Sequence, residues 1–102
     1  MNIKKKMFGV KEFEKKFGKL TFASLLESHR LCEELSQKDF ARILGISASS
    51  LCDLEKGRKI PTPIRAFKIA SLLGVSKRLW VEIALQDQLK KEGLDDLKVS
   101  VA

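Results

Sequence analysis

The fold is decided by residues 37–57, which read QKDFARILGISASSLCDLEKG. Ser36 stands directly before this stretch and belongs to a residue type that is preferred at helix N-caps, so a helix is predicted to begin here. Gly45 follows the last apolar position of that helix, which is typical of a left-handed helix stop. Ser47 then caps the next helix. The sequence therefore predicts a helix-turn-helix over residues 36–56.

Further helices are predicted on both sides of this pair, because apolar residues continue to recur at helical spacing. Thr21 caps a helix on the N-terminal side. On the C-terminal side Thr62 caps a helix with Pro63 in its first position, where the missing N–H costs nothing, and Ser76 caps a last helix. The inward-facing positions predicted in these five helices are Phe22, Leu25, Leu26, Cys32, Phe40, Ala41, Ile43, Leu44, Leu51, Leu54, Ile64, Phe67, Ile69, Ala70, Leu72, Leu73, Leu79, Trp80, Ile83, Ala84 and Leu89. An all-α domain of five helices is thus expected over residues 21–91.

Two short segments flank this domain, a basic N-terminal extension over residues 1–20 and a C-terminal tail over residues 92–102. Seven lysines against two glutamates give the extension a net charge of +5. In the tail, Leu97, Val99 and Val101 alternate with polar residues, which is a strand pattern. An isolated strand leaves its backbone N–H and C=O groups unsatisfied, so we expect a C-terminal dimerisation strand that pairs with the same strand of a second copy. The alternatives are a frayed C-terminus without a partner and a strand that pairs with the sheet edge of a toxin.

The charge of the chain favours a polyanionic partner. Lysine plus arginine, 20, exceed aspartate plus glutamate, 13, which leaves a net charge of +7 and suits double-stranded DNA. Cys32 and Cys52 lack the spacing of zinc ligands, and His29 is the single histidine. Phosphate-binding, nucleophile-elbow and metalloprotease motifs are missing. We therefore expect no enzyme, metal, other cofactor or small-molecule ligand. No membrane span or secretory signal is predicted, which favours a cytoplasmic protein.

The decisive stretch, extended through residue 76, resembles the helix-turn-helix of lambda-type phage repressors and, more widely, the XRE family of bacterial transcription regulators. The positions that carry the resemblance are Gln37, Ala41, Gly45, Ser47, Glu55, Gly57, Pro61, Ala70, Gly74 and Val75. This resemblance implies a lambda repressor-like DNA-binding domain that acts as a two-fold dimer on nucleoid DNA. The third helix would then lie in the major groove and the second would cross the backbone.

The resemblance also implies roles for individual residues. Arg30 and Glu55 match the family's internal ion pair, which is structural. Phosphates are expected to be bound by Ser36, Gln37 and Ser47. The residues expected to face the major groove are Ala48, Ser49, Cys52 and Asp53. The DNA backbone beyond the helix is expected to be contacted by Lys56, Arg58 and Lys59. None of the four groove residues is an Arg, Gln or Asn that would make a bidentate contact to a base. DNA shape and half-site spacing are therefore expected to supply much of the specificity.

Three functions remain open at this point. The chain is a free-standing repressor, a HigA-like antitoxin that represses its own operon and neutralises a small toxin, or an adaptor that keeps only the fold. The dimer surface is expected in the charge-balanced residues 75–102, where Trp80 is either an interface anchor or part of the core. Residues 4–6, all lysines, either reach around the duplex or form a solvated tail.

Overall fold

A computed structural model describes residues 20–94 and 96–100, and this part of the chain folds into five α-helices with no strand. The helices are α1 (Phe22–Cys32), α2 (Gln37–Leu44), α3 (Ala48–Glu55), α4 (Pro63–Leu73) and α5 (Lys77–Lys91). This confirms the all-α prediction for the central domain. Apart from Leu20, the N-terminal extension lies outside the described residues, as does Val101.

Each helix begins at the N-cap that the sequence predicts. The side-chain oxygens of these caps accept a hydrogen bond from the backbone N–H three residues further along; the caps are Thr21, Ser36, Ser47, Thr62 and Ser76. Gly45 ends α2 with a φ of 71°, in the left-handed region that a residue with a Cβ adopts at a cost. The turn between α2 and α3 therefore needs glycine at this position.

All five helices contribute to the core: α3 packs against α1 and α2, and α4 packs mainly along α5. Phe22, Leu26, Phe40 and Leu51 are its largest fully buried side chains. Trp80 packs edge-on against Phe22, with ring centroids 5.5 Å apart, and only 4% of its surface is exposed. Trp80 therefore belongs to the core, which leaves almost none of its surface for the dimer contact considered from the sequence.

Several apolar residues predicted to face inward lie at the surface. In α4 the buried face consists of Ala66, Ile69 and Ala70, at helical spacing, while three larger neighbours point outward. The small alanines allow the backbone of α4 to approach the rest of the domain closely, so the helix turns its bulkier side chains away. The predictions that were wrong in this way are Ile43, Ile64, Phe67, Leu72 and Leu79.

The described residues 96–100 of the C-terminal tail form no strand within this single chain. The pairing of the tail with a second copy stays a prediction. The backbone of the tail is instead held by the side chain of Gln86. The Gln86 Nε2 donates to the Leu97 carbonyl at 2.6 Å, and the Val99 N–H donates to Gln86 Oε1 at 3.0 Å. One side-chain amide thus bonds the tail as a neighbouring strand would.

A buried ion pair joins α1 to α3. Arg30 Nε donates to Glu55 Oε2 at 2.8 Å and Arg30 Nη2 donates to Glu55 Oε1 at 3.1 Å, while the Glu55 side chain is fully buried. Arg30 Nη1 also donates to the Leu35 carbonyl at 3.0 Å, in the turn before α2. Gln37 Nε2 adds a further hydrogen bond to Glu55 Oε1 at 2.9 Å. The carboxylate therefore connects α1, α2 and α3 at one point.

We expect Glu55→Leu to destabilise the domain by about 3–5 kcal/mol, because it leaves the Arg30 charge unpaired in a buried site. A loss of this size corresponds to a fall of about 12 °C or more in Tm for a domain of this length. The double change Arg30→Met/Glu55→Leu should recover most of the loss, since no unpaired charge then remains.

Thermal unfolding followed by circular dichroism measures these effects. Arg42→Ala is the matched control, since its pair with Asp39 at 3.6 Å is solvent-exposed on both sides. Such surface pairs contribute about 0–1 kcal/mol. Wild-type stability in Glu55→Leu would contradict a structural role for the buried pair.

Candidate nucleic-acid interface

The outer face of α3 is exposed to solvent at its N-terminal end. Ala48 and Ser49, in its first turn, are exposed, whereas Leu51 and Leu54 are buried against the core. Cys52 and Asp53 lie half-buried one turn further along. The face that sequence analysis assigned to a DNA groove is thus presented outward, with small side chains at its leading end.

The N-termini of α2 and α3 carry the two serines expected at phosphates. Ser36 Oγ accepts from the Asp39 N–H at 3.1 Å, and Ser47 Oγ accepts from the Ser50 N–H at 3.0 Å; both serines are exposed. A helix N-terminus presents N–H groups and a partial positive charge, which suit an anion such as a backbone phosphate.

Gln37 occupies a different environment from the one expected. Its side-chain amide, predicted to bind a phosphate, donates to the buried Glu55 carboxylate at 2.9 Å, and the residue is only half exposed. In this structure Gln37 therefore takes part in the network that holds α3, and both its backbone N–H in the first turn of α2 and the second N–H of its amide remain suited to a phosphate.

Asp53 is paired with the basic loop that follows α3. Its Oδ1 accepts from Arg58 Nε at 2.8 Å, and its Oδ2 lies 4.0 Å from Lys59 Nζ. The Asp53 carbonyl accepts the backbone N–H of Arg58 at 2.9 Å, so the loop folds back onto the helix. Arg58 Nη2 also reaches Cys52 Sγ at 3.3 Å. The hydrogen bonds that Arg58 donates to Asp53 and, with a smaller effect, to Cys52 raise the pKa of its guanidinium above the usual value.

This contact was not predicted from the sequence, where Asp53 was placed among the residues that face the groove. The available signal was an acidic residue near the end of α3 followed five positions later by an arginine, with Gly57 between them. Gly57 adopts a φ of 76°, which reverses the chain and brings Arg58 beside Asp53. The remaining loop cations, Lys56 and Lys59, are exposed.

Comparison with known proteins agrees with this geometry. The helix-turn-helix family model matches residues 30–80, half of the chain. An uncharacterized HTH-type transcriptional regulator of Methanocaldococcus jannaschii is 40% identical over 50 residues, a match that covers 49% of this chain and 76% of the relative. No solved structure matches the chain significantly.

No helix in the described part of the chain is long and apolar enough to cross a membrane.

The family match begins at Arg30 of the buried ion pair, contains the whole of α2, α3 and α4, and ends at Trp80. The chain therefore belongs to the XRE-type helix-turn-helix family and is a non-enzymatic DNA-binding regulator.

Proposed function

We propose that the protein is a dimeric transcriptional repressor that inserts α3 into the major groove of double-stranded DNA. The observation that carries this proposal is the exposed N-terminal face of α3, held by a buried ion pair and flanked by two exposed helix N-termini. Ser36, Ser47 and the backbone N–H of Gln37 bind phosphates on one side of the groove. Lys56, Arg58 and Lys59 follow the backbone on the other side.

Base recognition in this proposal is weak and depends on few contacts. Ala48 contacts a thymine methyl group, and the Ser49 hydroxyl forms a hydrogen bond with the edge of any base. A bidentate contact, which would select one base, needs a longer side chain than either residue has. Asp53 is held by Arg58, so it acts as a charge that limits the attraction of the loop for phosphates rather than as a reader of cytosine. The shape of the DNA and the spacing of two half-sites then supply most of the specificity.

The second copy that the proposal requires pairs through the C-terminal tail. Gln86 bonds the Leu97 carbonyl and the Val99 N–H, which therefore lie on the same side of the tail. In the proposed pairing the tail is extended, and alternation then directs the N–H and C=O of Lys98 to the opposite edge. Half of the Leu97 surface is exposed, so pairing of two tails along the Lys98 edge also buries apolar surface.

A second candidate function is an antitoxin that represses its own operon and also binds a small toxin. The feature that favours it is the exposed apolar surface of Leu94 and Leu97, which a toxin would cover in place of a second copy. A reading frame of toxin size beside the gene, and co-purification of its product with this chain, would distinguish the antitoxin from a free-standing repressor.

The proposed function is tested by gel shift on DNA from the region upstream of the protein's own gene. We expect binding with a strong salt dependence, since log K falls by about 0.9 per neutralised phosphate for each unit of log salt concentration. A chain that retains its helical circular dichroism spectrum but binds neither this DNA nor an arbitrary duplex would show that only the fold has been kept, as in an adaptor.

We expect Asp53→Asn to raise the affinity for arbitrary DNA by about fivefold, because the loop cations then attract phosphates without an opposing carboxylate. Affinity for the upstream DNA should rise less, so the ratio of specific to non-specific binding falls. Fluorescence anisotropy on both duplexes at one salt concentration measures the ratio. Asp39→Asn is the control of equal charge change; the same fall in that variant would mean that Asp53 acts only through net charge.

We expect Lys98→Pro to convert the dimer to a monomer at micromolar concentration, because proline removes the backbone N–H on the free edge of the tail. Truncation after Gly93 should have the same effect. Lys98→Ala is the matched control and should remain dimeric. Sedimentation velocity provides the measurement, and a truncated chain that remains as dimeric as the full chain would exclude the tail as the dimer element.

A further inference from the structure

A basic cleft of about 560 Å³ lies beside the loop that follows α3. It is lined by the start of α1, by residues 56–60, and by Asp87, Lys90 and Lys91 of α5. The two basic segments are more than 30 residues apart in the chain and meet only in the folded domain. We call this cleft the 56–91 cleft, after the loop residue and the α5 residue that line its two sides.

The 56–91 cleft concentrates positive charge. Among the described residues that line it, five are cationic, namely Lys56, Arg58, Lys59, Lys90 and Lys91, against a single carboxylate. That carboxylate, Asp87, accepts the Phe22 backbone N–H at 2.8 Å and so caps α1. Cations grouped in this way repel one another and attract an anion that can lie between them.

The position of the cleft indicates which anion this is. Lys56 is the C-cap of α3, and Arg58 is bonded to the side chains of Cys52 and Asp53 on that helix. The cleft is therefore continuous with the loop that follows the DNA backbone in the proposed complex. An acidic peptide would need an apolar anchor, but the lining offers little exposed apolar surface, because Phe22 is only 2% exposed and Ile60 is partly buried.

We infer that the 56–91 cleft binds phosphates of the DNA backbone outside the half-site contacted by α3, with Lys90 and Lys91 as the contact residues. This inference rests on the proposed DNA binding and extends it to the end of α5. The backbone strand that the loop after α3 follows then continues to the last turn of α5. The protein then covers more DNA than its recognition helix alone would require, and the extra affinity is independent of sequence.

The test compares two duplexes from the upstream region. One contains only the two half-sites that α3 contacts, and the other carries about one helical turn of extra DNA on each side. Wild-type protein should bind the long duplex more tightly. Lys90→Gln/Lys91→Gln should lose that advantage, with about tenfold weaker binding to the long duplex, unchanged binding to the short one, and a salt slope reduced by about 1.8 for two lost contacts.

Lys68→Gln/Lys77→Gln is the matched control. Both lysines are exposed on α4 and α5, and neither lines the cleft. This control should bind both duplexes as the wild type does, and thermal melts should show all variants folded. Retention of the long-duplex advantage in Lys90→Gln/Lys91→Gln, or an equal loss in the control, would overturn the inference.

Poly-L-glutamate serves as a second probe. If the Lys90 and Lys91 changes abolish its binding and leave binding to the long duplex intact, the cleft accepts an acidic protein segment and the inference is wrong. Failure of the wild type to bind any duplex would instead overturn the proposed function itself. The two failures are therefore distinguishable.

Discussion

The buried carboxylate of Glu55 is the interaction on which the arrangement of the DNA-facing helices depends. It accepts two hydrogen bonds from Arg30 of α1 and one from Gln37 of α2 while belonging to α3 itself. A charge in this position is tolerated only when its oxygens are bonded, because desolvation of an unpaired carboxylate is costly. The three helices must therefore keep one relative position, and that position directs the first turn of α3 outward.

The hydrogen bond to Glu55 also changes the role of the Gln37 side chain in the proposed DNA complex. One N–H of the Gln37 amide is used by the buried carboxylate, a bond that orients α2 and leaves the amide a single N–H for a phosphate. In the proposed complex, phosphate binding then depends more on backbone N–H groups at the starts of α2 and α3. Because these groups are fixed by the helices, they place the protein on the duplex without reading its sequence.

At the C-terminal end of α3, the exposed ion pair between Asp53 and Arg58 determines the local charge. Asp53 holds Arg58 beside the helix and offsets part of the positive charge of the loop. The end of α5 adds two lysines to the same region, beside the loop. Within the described residues, positive charge is therefore offset by a carboxylate at the recognition helix and is concentrated in the cleft.

The sequence by itself determined the features that depend on neighbours three to five residues away. The N-caps at Ser36 and Ser47, the stop at Gly45 and the five helices follow from local hydrogen bonds and helical spacing, and the family resemblance follows from their order. Of the binding residues, it predicted which side chains of α3 face outward and which pair, Arg30 with Glu55, joins the helices. Their role at DNA stays a prediction.

Only the tertiary structure decided which face of each helix is buried and which distant groups meet. Apolar spacing in α4 is compatible with more than one buried face, and the alanines at 66 and 70 decide between them by allowing a closer approach. Asp87 and Phe22 are 65 residues apart, and Gln86 bonds a tail that begins beyond α5. Such contacts depend on how rigid helices pack together, and the local pattern of one helix carries no information about that packing.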